Sequence, residues 1–270
     1  FRDEADRTRF LETLAQVCQR TGWRVHAFIL MSNHYHWLMQ TPEPNLVAGM
    51  RWFQTTYTTR FNHRHRLSGH LFQGRYKAVV VNPEERNYFV SLSDYIHLNP
   101  VRARMVRLDQ RLVDYRWSSY PLYVRAKNRP SWLETRDVMA ELGLNDDVTG
   151  RRLYAERMRL RAVEELTKDD MPVSERKASR WYLGNESFRE KILRLLDQAS
   201  DKMRAHREVD GAVRRSHDEA EALRIMQAGL EAFVREVNGQ VIAKHPMHAL
   251  VFGKRIAVQL AVGAAGHGRQ

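Results

Sequence analysis

The chain contains two short segments whose side chains could together form a metal-dependent catalytic site. The first is His34-Tyr35-His36, in which two imidazoles stand at positions i and i+2. If this segment is a β-strand, both rings lie on the same face, about 7 Å apart along the chain. Two imidazoles on one face can bind a single divalent ion. Taken alone, such a pair is more often two histidines on a solvated strand surface than a pair of metal ligands.

The second segment is Tyr95-Ile96-His97-Leu98-Asn99-Pro100. In a helix, Tyr95 and Asn99 are four residues apart and share one face, about 6 Å from each other. The amide oxygen of Asn99 is a plausible third metal ligand, and Tyr95 offers a phenol at the same place. The alternative is structural: Tyr95 packs in the core and Asn99 caps the helix end before Pro100.

The two segments together describe a reaction. A hard cation held by two imidazoles and an amide oxygen keeps open positions for a scissile phosphate. A phenol is a weak nucleophile near neutral pH because its pKa is about 10, so it needs a base or a metal-polarised environment. Attack by Tyr95 on DNA would leave a 5′-phosphotyrosine and a free 3′-OH. Because this link conserves the bond energy, a second DNA end can be joined without a nucleotide cofactor.

The elements that must position these residues follow from apolar spacing, caps and turn residues. The order of these elements predicts an α+β fold, a ferredoxin-like antiparallel sheet with helices on one face and an apparently missing first strand. Beyond about Lys127 the pattern becomes helical to the end of the chain. The predicted elements are a helix over 3–20, strands over 23–31 and 34–40, a helix over 46–65, a strand or hairpin over 70–81, and a helix that starts at 82 and ends near Asn99, before Pro100.

Composition narrows the class of protein. The 270 residues are 43% hydrophobic, 28% charged and 10% aromatic, as in a folded soluble protein. Cys18 is the only cysteine, which excludes disulfide frameworks and thiolate zinc sites. No apolar run approaches the roughly 18 residues of a membrane span, so we expect a cytoplasmic protein that does not bind membranes.

The charge favours a nucleic-acid partner. The net charge is +12 and the isoelectric point is about 10.1. Between Leu46 and Val81 basic residues alternate with aromatic ones and no acidic residue occurs, a pattern suited to phosphate contacts and base stacking, although a solvated basic face is the simpler alternative. The candidate phosphate contacts are Arg51, Arg60, Arg75, Lys77, Arg102 and Arg104.

Three segments, in order, resemble the REP-associated tyrosine transposases of the HUH single-tyrosine class: HYH (34–36), GHLFQGRYKAVVV (69–81) and YIHLNPVRA (95–103). The resemblance covers roughly residues 1–120. It implies that His34, His36 and Asn99 bind Mg²⁺ or Mn²⁺ and that Tyr95 is the nucleophile. It further implies a monomeric or homodimeric enzyme acting on single-stranded or hairpin DNA, such as palindromic repeats.

Departures from that family define the alternatives. The middle residue of the histidine pair is the bulky Tyr35, and the family has a first strand ahead of the residues matching Phe1, so we expect a truncated reading frame. A remnant that binds DNA without catalysis is therefore a second hypothesis, and an RNA-binding ferredoxin-like domain, with aromatics on the sheet face, is a third. Tyr88 lies about 10 Å along the helix from Tyr95 and is a weaker candidate nucleophile. We expect a catalytic domain over 1–125 and a helical region over 126–270.

Overall fold

The structure, a computed structural model, describes residues 1–73, 76–82, 86–107, 109–167, 182–183, 185–191, 193–194 and 248–253. Within these ranges no helix is both long enough and apolar enough to cross a membrane. The elements are α1 (Glu4–Thr21), β1 (Arg24–Leu30), β2 (Tyr35–Gln40), α2 (Leu46–His65), β3 (Lys77–Val81), α3 (Arg86–Arg102), α4 (Tyr120–Val124), α5 (Arg136–Glu141), α6 (Val148–Thr167), β4 (Tyr182–Leu183) and β5 (His248–Gly253).

The first helix shows how local sequence sets the element bounds. The Asp3 carboxylate accepts a hydrogen bond from the backbone N–H of Asp6 at 3.0 Å, which caps the start of α1. Gly22 ends it in the left-handed conformation, with φ 72°. The predicted helix and the two strands that follow it are confirmed to within one or two residues at each end.

The sheet has five strands in the order β1-β2-β5-β3-β4. β1 and β2 form an antiparallel hairpin, with Ile29 opposite His36 and Leu30 opposite Tyr35. β5 pairs antiparallel with β2 on one side and with β3 on the other, and β4 adds a short parallel pairing at the β3 edge. The α+β class is thus confirmed, and the residue pair of interest lies at the beginning of an interior strand.

Helices cover both faces of this sheet, which differs from the predicted one-sided layering. Side chains alternate along β2: Tyr35 and Trp37 join α1 and α2 in one fully buried cluster, whereas Leu38 joins α3 and α6 in a second. Every residue of β2 is buried, and so is every residue of β1 after Arg24, on both faces of the two strands. Such strands need cover on both sides, and α3 is thereby pressed onto the face that carries His36.

β5 occupies an interior position of the sheet, whereas the sequence predicts a sheet from which a strand is missing. Residues 248–253 lie between β2 and β3 and run antiparallel to both. This also differs from the helical pattern predicted for the C-terminal region, because a single apolar stretch such as HALVFG can be a strand or part of a helix, and only the unpaired edges of β2 and β3 decide between them. The predicted boundary near residue 125 stays a prediction.

Substituting Leu250→Pro tests the place of β5. Leu250 lies opposite both Leu38 and Val79, and proline removes a backbone donor from an interior strand, so we expect a loss of about 2–3 kcal/mol in the free energy of unfolding. Urea denaturation of the full chain measures it, with Leu250→Val as the control that keeps the N–H. Hydrogen exchange should accelerate in 35–40 and 77–81; unchanged protection there would show that β5 does not pair with these strands.

Candidate active site

The two histidines that the sequence singles out come together at the start of β2. His34 immediately precedes the strand, and its carbonyl accepts from the N–H of Met31 at 2.8 Å, which closes the hairpin turn. The two imidazole rings are 5.0 Å apart between centroids and nearly perpendicular. His34 is half-buried, with Nδ1 2.9 Å from Oδ1 of Asn33, whereas His36 is only 8% exposed. One edge of the pair is therefore open to solvent and the other is enclosed.

Burial decides the protonation of His36. Desolvation, assisted by the neighbouring His34, lowers the pKa of His36 from 6.5 to about 3. The imidazole is therefore neutral at physiological pH, which is the form that offers a lone pair to a metal ion. A protonated ring at this place would instead repel a cation.

Tyr95 contacts the histidine pair from the helix that packs on this face of the sheet. It lies on α3, its ring centroid is 5.8 Å from that of His36 in an edge-to-face arrangement, and its side chain remains 37% exposed. The structural alternative, a tyrosine packed in the core, does not describe this exposed side chain. The phenol, the imidazole pair and solvent thus meet at one surface.

Asn99 stands one turn after Tyr95, and its amide is oriented by that turn. Nδ2 donates to the backbone carbonyl of Tyr95 at 2.8 Å. With the NH₂ end used in this way, Oδ1 is the end of the amide that can bind a cation or accept a hydrogen bond. The side chain is 8% exposed, and it lies within α3 rather than capping the end of the helix.

The predicted end of this helix at Asn99 is wrong. α3 continues through Pro100 to Arg102, and the N–H of Ala103 still donates to the Asn99 carbonyl at 2.9 Å. A proline inside a helix costs about 3 kcal/mol. The neighbouring Leu98 and Val101, 0% and 1% exposed, are buried in the core, and this packing holds the helix together past the proline.

The longer helix brings Arg102 to Tyr95. Its guanidinium carbon lies 4.9 Å from the centre of the Tyr95 ring, and one of its terminal nitrogens donates to the Tyr95 carbonyl at 3.1 Å. The remaining edge of the guanidinium is bound by Glu165 of α6, through two hydrogen bonds of 3.0 Å each. Glu165 was not predicted, since its pairing joins residues 63 positions apart and leaves no local signal in the sequence.

The other predicted phosphate contacts are dispersed. Arg51 is exposed on α2, but Arg60 donates to Thr13 and Gln16 at 2.8 Å each and so serves the packing of α2 on α1. Arg104 is exposed and donates to the Leu166 carbonyl at 3.2 Å. Arg75 lies outside the described residues. Lys77 is the first residue of β3.

Three of the aromatic residues of α2 are buried in the core. Phe53, Tyr57 and Phe61 are at most 1% exposed and belong to the core between α1, α2 and the sheet. The base-stacking interpretation is therefore wrong for these three. Aromatic and basic residues alternate along α2 because one stripe of the helix faces the core and the other faces solvent.

Within the described part of the chain, no group of three or more His, Cys, Asp or Glu side chains is arranged to hold a metal ion. The set of candidate donors is the two imidazoles and the Asn99 amide oxygen, which is a hard donor of the type that divalent cations such as Mg²⁺ bind. This set does not resemble the closed ligand sets of structural zinc sites.

Comparison with known proteins finds a similarity in the N-terminal part of the chain. The family model described as "Transposase IS200 like" matches residues 1–99. No curated protein and no solved structure gives a significant match to the chain. The matched residues include His34, His36, Tyr95 and Asn99, whereas Arg102 and Glu165 lie beyond them.

Proposed function

We propose that the protein is a transposase-like enzyme that cuts and rejoins DNA strands, because residues 1–99 are similar to the IS200-like transposases. Its nucleophile is the Tyr95 phenol, and its substrate is single-stranded or hairpin DNA. The observation that supports the proposal most is the proximity of Tyr95 to the histidine pair. The ring centroids of Tyr95 and His36 are 5.8 Å apart, and those of His36 and His34 are 5.0 Å apart. Neither a tyrosine that only packs in the core nor a histidine pair that is only solvated requires this arrangement.

The residues present fit a divalent cation. His34, His36 and Asn99 are the side chains that would hold Mg²⁺ or Mn²⁺, and the neutral state of His36 suits this role. When bound there, such a cation would neutralise charge on the scissile phosphate and favour attack at phosphorus. The edge of the site that His34 and Tyr95 leave open is where the DNA phosphate would enter.

The chemical step balances without a cofactor that carries energy. The Tyr95 oxygen attacks phosphorus in line, its proton leaves to solvent, and a P–O bond to the tyrosine forms as the bond to the 3′ oxygen breaks. The departing oxygen takes up a proton and becomes a 3′-OH, while the 5′ end stays attached as a phosphotyrosine. Attack by a second 3′-OH on this diester rejoins DNA and regenerates the phenol.

Three features support DNA as the substrate. The net charge of +12 favours a polyanion, Arg51 is exposed on α2, and the likeness to REP-associated enzymes points to palindromic repeats that fold into hairpins. A single strand or hairpin also presents a flexible phosphate to a nucleophile that is fixed on a helix. The proposal leaves open whether the enzyme acts as a monomer or a homodimer.

A covalent-capture assay tests the function. The protein is incubated with a hairpin oligonucleotide labelled on either side of the cleavage point, with Mn²⁺, and run on a denaturing gel. We expect a shifted protein band that carries only the label on the 3′ side of the cut, because the 5′ phosphate is the attached end. EDTA should abolish the band, and the same sequence as a perfect duplex should give much less. Binding of the hairpin without any adduct would support a DNA-binding protein that lacks catalysis.

A further inference from the structure

Among the ion pairs that join the parallel helices α3 and α6, two have opposite polarity. Asp94 of α3 binds Arg157 of α6 through two hydrogen bonds, at 2.7 and 2.6 Å. Eight residues further along both helices the signs are reversed, and Arg102 of α3 binds Glu165 of α6. Equal spacing on both helices means that they run in the same direction, in register, for about 12 Å. Helix α3 is therefore attached to α6 just before Tyr95, at Asp94, and again about two turns later, at Arg102.

The second of these pairs touches the nucleophile directly. Arg102 lies over the Tyr95 ring at 4.9 Å and also donates to the Tyr95 carbonyl at 3.1 Å, so it contacts both the side chain and the backbone of that residue. Glu165 is only 9% exposed in its side chain, which makes its hold on the guanidinium stronger than a surface ion pair. The plane of the guanidinium is thus fixed by α6, and the ring of Tyr95 is fixed in turn.

Most of the hydrogen-bond donors of Arg102 are used within the protein. A guanidinium has five N–H donors, and three of those of Arg102 are used by the two Glu165 oxygens and the Tyr95 carbonyl. The two remaining donors lie one on each terminal nitrogen, so Arg102 keeps part of its hydrogen-bonding capacity while it holds Glu165 and Tyr95.

We propose that Arg102, oriented by Glu165, is the positioning residue for the Tyr95 phenol, so that α6, which lies outside the matched family residues, forms part of the active site. The inference rests on the proposed function of Tyr95 as nucleophile. Holding the phenol within reach of an in-line attack restricts its χ angles before DNA arrives, and a misplacement of about 1 Å can cost about 100-fold in rate. Arg102 acts through Tyr95 and need not touch the DNA.

Exchanging the charges of Arg102 and Glu165 distinguishes the positioning of Tyr95 from the attachment of α6 to α3. Glu165→Gln and Arg102→Lys each weaken the bidentate pair, and the double variant Arg102→Glu with Glu165→Arg restores an ion pair between the helices but moves the guanidinium to α6. If Arg102 positions Tyr95, the adduct rate at saturating DNA falls about 10- to 100-fold in all three. Hairpin affinity stays near the wild-type value, and the exchange recovers thermal stability without recovering rate.

A matched control is available on the same helix. Arg159 pairs with Glu156 on the exposed side of α6, so Arg159→Gln removes a positive charge and a surface ion pair without touching α3, and it should leave the adduct rate unchanged. Recovery of both stability and rate in the charge-exchanged protein would overturn the inference, since attachment of α6 would then be all that matters.

A chemical readout keeps this outcome distinct from failure of the proposed function. The rate at which tetranitromethane modifies Tyr95, followed by peptide mass, reports how well the ring is covered by Arg102 and needs no DNA. We expect modification of Tyr95 to rise several-fold in the charge-exchanged protein and not in Arg159→Gln. Absence of any adduct in the wild type would reject Tyr95 as nucleophile, whereas equal modification in all variants would reject the role of Arg102.

Discussion

Tyr95→Phe is expected to abolish the covalent protein–DNA adduct, a loss of at least about 10³-fold in rate, while hairpin binding is nearly unchanged. The substitution removes one oxygen and keeps the ring, so the edge contact with His36 and the guanidinium of Arg102 over the ring both persist. Since the side chain is partly exposed rather than packed in the core, the fold should tolerate the change. The adduct on a denaturing gel and hairpin binding by fluorescence anisotropy measure the two effects separately.

Tyr88→Phe is the control for this experiment, because the sequence presents Tyr88 as a second phenol on the same helix. We expect it to form adduct at the wild-type rate. If adduct persists in Tyr95→Phe and disappears in Tyr88→Phe, the nucleophile has been assigned to the wrong tyrosine. If it persists in both, the link to DNA does not involve this helix.

Much of the fold can be predicted from sequence because its signals are local. The predicted and observed bounds of α2 agree at Leu46 and His65. Caps, turn residues and apolar spacing all act within a few residues of one another. The pairing of His34 with His36 is equally local, since a strand places alternate residues on one face.

The errors arise where distant packing overrides a local preference. The residue before a proline disfavours helix, yet α3 passes through Pro100 because Leu98 and Val101 are buried on either side. This one error hides the position of Arg102, which reaches Tyr95 only if the helix continues for two further residues. Likewise, the basic and aromatic pattern of α2 predicts stacking residues, but it cannot tell which stripe of the helix is covered by α1.

The order of the strands in the sheet is a second feature that the sequence does not predict. The position of β5 between β2 and β3 is set by unpaired backbone groups on two strands that lie more than 160 residues earlier in the chain. Backbone hydrogen bonding has no side-chain signature at that distance. The same holds for the α3–α6 ion pairs, in which Asp94 and Arg157 look like ordinary surface charges until the two helices are placed side by side.

His36→Ala is expected to lower the Mn²⁺-dependent adduct rate by at least about 10³-fold, equivalent to about 4 kcal/mol of transition-state stabilisation. The neutral His36 ring contacts both His34 and Tyr95, so its removal takes away one of the three proposed ligands. Mn²⁺ affinity should fall as well, and calorimetric titration without DNA measures this independently of catalysis. Because His36 is buried, His36→Gln is made in parallel to keep most of the side-chain volume.

His63→Ala supplies the matched control, since it removes an exposed imidazole from α2 and should change neither Mn²⁺ affinity nor adduct rate. The informative comparison is between the rate and the affinity. If His36→Ala forms no adduct but binds Mn²⁺ as tightly as the wild type, His36 acts on Tyr95 directly and the cation is held elsewhere. If both variants behave alike at every Mn²⁺ concentration, the paired imidazoles are surface histidines, and charge on the phosphate must be neutralised by arginine side chains instead.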